Sequence, residues 1–89
     1  MKVYKYPITH VGLNTIALPE LHEPISVQLQ GDDIVMWALV DETEPAVDTT
    51  FYLAMTGEEL EYDYYQLLHV GTVQTNYGRL VLHLFEIEE

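Results

Sequence analysis

The sequence predicts an all-β fold, a small antiparallel β-sandwich or open barrel of about seven strands with at most one short helical turn. Three observations carry this reading. The dominant hydrophobic period is two, turn signals recur roughly every 8 to 14 residues, and the 89 residues suffice for one core but hardly for a second. Residues 1–89 therefore read as a single β domain with a short acidic C-terminal tail.

Two short strands open the chain, Val3–Tyr6 and Asn14–Leu18, each expected to stop at a proline, Pro7 or Pro19. In Ile25-Ser26-Val27-Gln28-Leu29-Gln30 apolar and polar residues alternate, which assigns Ile25, Val27 and Leu29 to one face and leaves the other wet. Gly31-Asp32-Asp33 is a turn by composition, and Ile34–Val40 is apolar on both faces. Together they read as a hairpin whose second strand is central in a sheet. The stretch Asp41–Asp48 reads as a loop from its acids and Pro45, and Thr50–Met55 as the next strand. Gly57–Asp63 is acidic and is the expected place for the helical turn. Leu67–Thr75 and Arg79–Phe85 flank Asn76-Tyr77-Gly78 and form a second hairpin, with Asn and Gly suited to the positive φ of its turn.

Fifteen Asp and Glu against three Lys and Arg give a net charge of −12. Such a surface repels phosphates, which argues against binding nucleic acid or anionic lipid directly. Yet 48% hydrophobic residues and 11% aromatic residues are unlike an acidic disordered tail. No window holds the roughly 20 apolar residues of a membrane helix, and the first residues do not read as a signal peptide. Without cysteine there is no disulfide, thiolate metal site or thiol nucleophile. A cytoplasmic location is expected.

The only cations are Lys2, Lys5 and Arg79, so Tyr6–Gly78 holds none. Its carboxylates gather in putting negative charge on the loops, notably Asp41, Glu42, Glu44 and Asp48, then Glu58, Glu59, Glu61 and Asp63. Ordinary solubility accounts for them. They also suit a basic partner, whose approach they would steer. Tyr62, Tyr64 and Tyr65 cluster beside them, and tyrosine serves equally as a strand residue and as an interface anchor.

Catalytic chemistry finds little support. Ser26 lacks the glycines of a nucleophile elbow, and carboxylate pairs are too abundant here to single one out. His10, His22, His69 and His83 match no compact metal-ligand spacing and read as hydrogen-bonded at the sheet surface, so no metal or other cofactor is expected. The Asp41–Asp48 stretch lacks a calcium-loop pattern. Asn76, Tyr77 and Arg79 place an amide, an aromatic ring and a guanidinium on one turn, a small candidate site for an anion.

The segments Lys5-Tyr6-Pro7-Ile8, Thr15–Pro19, Ile25–Gln30, Trp37-Ala38-Leu39-Val40-Asp41, Thr50-Phe51, Val70–Gln74 and Leu80–Glu86 occur in an order that resembles a family of small proteins of unknown function encoded by phages, prophages and their bacterial hosts. The resemblance implies a compact β domain and a phage origin and brings no active site with it. Gly57–Tyr65 departs from the family pattern. With the charge and the tyrosines, the resemblance makes a non-enzymatic protein the first expectation, one that counters host defence by docking a host protein, with imitation of nucleic acid as one form of that docking. The alternatives are a homo-oligomer that sequesters a small nucleotide immune signal, and a virion or morphogenesis component. Self-association into a homo-oligomer is expected, since a small sheet with apolar faces and exposed edges gains from it.

Overall fold

A computed structural model describes residues 1–89 as seven strands in two antiparallel sheets, β1 (Lys2–Ile8), β2 (Gly12–Pro19), β3 (His22–Gln30), β4 (Asp33–Val40), β5 (Ala46–Met55), β6 (Leu67–Thr75) and β7 (Leu80–Ile87). The first sheet has the order β1-β4-β3 and the second β2-β5-β7-β6. The inward faces supply one core, with Met36, Ala38 and Val40 from β4 meeting Phe51, Leu53, Leu82 and Leu84 from β5 and β7. The fold is therefore a sandwich. Its exposed area is 5897 Å², against about 5,400 Å² expected for a compact chain of this mass. The excess fits a flat body of 40 × 32 × 16 Å.

β4 is central, as its continuous apolar run requires, and both expected hairpins form. The β3–β4 turn is Gly31-Asp32, with Gly31 at φ 63° while Asp32 keeps a negative φ, the pattern of a type II′ turn. In the β6–β7 turn not only Gly78 but also Asn76 and Tyr77 are left-handed, at φ 52° and 56°.

Several expectations are corrected. Pro7 does not stop β1, because β1 is an edge strand and needs no outward donor there. β5 begins at Ala46, so Asp48 stands within a strand, paired with Ala17, and the loop ends at Pro45. The helical turn is a 3-10 turn at Tyr64–Gln66, just after Gly57–Asp63, where the Gln66 side chain accepts the Asp63 N–H. The Ile25-Val27-Leu29 face holds only in part: the register shift between Pro24 and Ser26 takes Ile25 out of it, and Leu29, still in register with Val27, is exposed near the end of the strand, so only Val27 enters the core.

The two long sides of the sandwich differ. On one, the edges β3 and β6 meet, and each carries a register shift, at Pro24/Ser26 and at His69/Gly71. A Cβ on Gly71 would lie 2.9 Å from Val27 Cγ1, so only glycine admits this approach. On the other side β1 and β2 diverge. The connection from β5 to β6 crosses the outside of the second sheet. The Tyr62 ring packs edge-on against Tyr52 at 5.9 Å, and the Thr56 hydroxyl lies 2.7 Å from His83 Nε2.

Candidate docking surface

Antiparallel strands alternate in direction, so the chain's connections sort into two poles. One pole has the turns at 31–32 and 76–79 and the link at 9–11. The other has the link at 20–21, the loop at 41–45, the 3-10 turn and the end of β7. Backbone bonds tie this second pole together: Glu20 N–H donates to Pro45 O at 2.9 Å, Asp41 N–H to Leu21 O at 3.0 Å, and Glu88 N–H to Gln66 O at 2.7 Å.

Most of the carboxylates lie at this pole. Asp41, Glu42 and Glu44 occupy its loop, Asp63 begins its 3-10 turn, and Glu20, Asp48, Glu86, Glu88 and Glu89 line an open groove of about 580 Å³. Tyr64 and Tyr65 project from the same pole, 87% and 88% exposed, their rings edge-to-face at 6.0 Å. The fold thus brings five of the eight expected acids, Asp41, Glu42, Glu44, Asp48 and Asp63, together with Tyr64 and Tyr65, whereas Glu58, Glu59 and Glu61 lie on the connection from β5 to β6.

His22 sits at the groove's base and is nearly buried, not at the sheet surface as expected. Its Nδ1–H donates to Pro19 O at 2.6 Å, and Nε2 lies 3.1 Å from Glu86 Oε1. Both ring nitrogens thus face oxygen atoms able to accept hydrogen bonds. The pair links the two sheets, because His22 is on β3 and Glu86 on β7. Glu20, Glu86, Glu88 and Glu89 are not among the candidate acids of the sequence, and His22 reads there as a surface histidine. Only the strand directions bring them beside Asp48, and no local motif records that.

Some candidate acids are already engaged within the chain. Glu42 accepts from Lys2 Nζ at 2.5 Å and from the Tyr4 hydroxyl, which holds its carboxyl below the usual range, Lys2 having the larger effect. Asp41 is lowered in turn by the Thr43 hydroxyl and N–H. Glu58 accepts from the Tyr52 hydroxyl and from Met55 N–H, and these bonds lower its carboxyl and raise the Tyr52 phenol. Glu44, Asp48, Glu59, Glu61 and Asp63 are exposed, with no cation bound to them.

Asn76, Tyr77 and Arg79 belong to the opposite pole, separated from Tyr64 and Tyr65 by the length of β6, roughly 27 Å at strand rise. They do not share a surface with the tyrosine cluster. Tyr77 is fully exposed, and Arg79 makes no ion pair. His69 and His83 are joined through Thr72, whose Oγ1 lies 3.3 Å from His69 Nε2 and 3.0 Å from His83 Nδ1. No group of three or more histidine and acidic side chains is placed to hold a metal ion, and no helix is long and apolar enough to cross a membrane. The chemistry open to the carboxylate pole is recognition of cationic groups, with the exposed rings supplying contact area beside them.

A protein-family profile described as a domain of unknown function (DUF7352) matches residues 1–89. No curated protein and no solved structure matches the chain.

Proposed function

The chain belongs to the DUF7352 family along its whole length, and from that premise we propose that it is a non-enzymatic binding protein whose carboxylate pole docks a basic surface on another protein. One observation carries this reading: carboxylates from distant parts of the sequence converge on the pole that also displays Tyr64 and Tyr65. Repulsion among those charges is relieved when a cationic surface covers them, and the charge steers its approach. The resemblance to phage-encoded proteins supports a phage origin and a host protein as the partner, with a nucleic-acid-binding groove as a fitting target and the host cytoplasm as the place.

The test is capture from bacterial lysate at low and high salt. Glu20→Gln, Asp48→Asn, Glu88→Gln and Glu89→Gln are combined because these side chains line the groove, whereas Glu42 and Glu58 hold parts of the fold. The expected result is a basic protein retained at low salt and released by salt, with retention falling more than tenfold in the quadruple variant. Asp32→Asn with Glu59→Gln, away from that pole, leaves retention unchanged. Recovery of no protein at any salt overturns the reading.

A second reading rests on the opposite pole, where the unpaired Arg79 and the exposed Tyr77 support sequestration of a small nucleotide signal. A stoichiometric nucleotide released by heating protein recovered from infected cells would favour it over docking. Co-purification with viral particles would favour a virion or morphogenesis role.

A further inference from the structure

A sandwich has four sheet edges, and exposed edges pair with other strands unless something prevents it. Three of the four are protected here. β1 carries Lys2, Lys5 and Pro7, and the proline removes one backbone donor. β3 and β6 cover each other and are both interrupted by register shifts.

β2 has no such device. Its eight residues, Gly12-Leu13-Asn14-Thr15-Ile16-Ala17-Leu18-Pro19, include no charged side chain, pair with β5 in unbroken register and meet proline only at the last position. One side of β2 is taken by β5, and the other borders an open groove of about 440 Å³. Five consecutive residues, Leu13 to Ala17, line that groove. Side chains alternate between faces, so consecutive residues can share a groove only along their backbone edge. The groove is bordered by N–H and C=O groups free to continue the sheet.

We propose that this edge pairs with the β2 strand of a second copy of the chain, joining two four-stranded sheets into one across a two-fold axis beside Thr15. Charge selects this occupant. A basic strand would find no carboxylate on β2 to match, whereas another uncharged strand suits it, and a second copy provides one. The antiparallel sense settles the remaining repulsion. It turns the two molecules end for end, placing their carboxylate poles at opposite extremes of the dimer, while a parallel arrangement would set them side by side. With the two-fold at Thr15, Leu13 of each copy faces Ala17 of its partner, giving apolar cross-strand contacts next to the new backbone bonds.

Native mass spectrometry and sedimentation of the whole chain test the proposal, with Thr15→Lys combined with Ala17→Lys. Both residues are exposed, so the variant retains the fold, which circular dichroism verifies. The wild-type chain is expected at twice its 10.3 kDa mass. The added like charges across the axis should weaken dimerisation by roughly tenfold or more. Val3→Lys, on the outside of the first sheet, should have no effect.

The absence of cysteine permits a second measurement that does not depend on affinity. Thr15→Cys should give covalent dimers with a short bifunctional maleimide, and Ser26→Cys should not. A wild-type chain that stays monomeric at its highest soluble concentration overturns the proposal. So does a dimer unaffected by the lysines, or equal cross-linking at Ser26→Cys.

Discussion

Gly71→Ala tests the closed side of the sandwich directly. The new Cβ would lie 2.9 Å from Val27 Cγ1 and 3.5 Å from Val27 N. Carbon atoms are most favourable at about 3.5–4.0 Å, so relief requires a movement of about 0.6–1.1 Å. Val27 is 5% exposed and β-branched, and forcing it off its rotamer costs about 0.5–1.5 kcal/mol. The alternative, easing β6 away from β3, loosens the packing between them. Overpacking of this kind typically destabilises by about 1–3 kcal/mol, while replacing glycine restores about 0.4–1 kcal/mol by restricting the unfolded chain. The net expectation is a loss of about 1–2 kcal/mol, read from urea unfolding, with Tm lower by about 4–8 °C per kcal/mol. Val27→Ala alone removes buried methyl groups and should cost about 1.5–2.5 kcal/mol. In that background the clashing atom is gone, so Gly71→Ala should cost less than about 0.5 kcal/mol, a coupling of about 1 kcal/mol between the two sites. Equal penalties for Gly71→Ala in both backgrounds would refute the close-approach argument.

Other expectations concern charge and backbone. His22→Leu leaves the Glu86 carboxylate and the Pro19 carbonyl without their partner, and should lower stability by about 3 kcal/mol in urea melts; His22→Leu with Glu86→Leu should recover much of that loss. Glu58 has its carboxyl lowered in the folded state, so its contribution is complete above its unfolded value near 4.5 and is lost as pH falls through the folded value. Glu58→Gln should therefore flatten the fall in urea midpoint between about pH 5 and pH 3. Tyr77 is left-handed and packs on nothing, so Tyr77→Asn, which tolerates that conformation better, should raise Tm by an amount equivalent to about 0.5 kcal/mol.

The legible parts of the fold were those whose cause is local. The apolar run of β4 announces a central strand, and Gly31 and Gly78 announce turns, because burial on both faces and positive φ each restrict residue type at a single position. The start of β5 was hidden by Pro45 and Asp48, since a carboxylate on the exposed face of a strand looks in sequence like one in a loop. The alternation through Ile25 conceals the register shift, because nothing in it marks the residue that leaves the ladder between Pro24 and Ser26. The acidic residues were individually readable, but their gathering at one pole depends on the direction in which each strand enters its sheet. Asp48 and Glu88 become neighbours for that reason alone. His22 shows the same limit, because its burial follows from Glu86 on a strand at the far end of the chain.

The meeting of β3 with β6 also constrains the order of events in folding. Each hairpin closes over a short loop, whereas this meeting joins strands far apart in sequence and carries a larger loop-closure entropy. The hairpins β3–β4 and β6–β7 can thus form as separate units, with their union a late event on the pathway. If Val27 and Gly71 come together after the transition state, Gly71→Ala should mainly accelerate unfolding and leave the refolding rate nearly unchanged. The side that holds the sandwich shut then governs how long the native state persists more than how quickly it is reached.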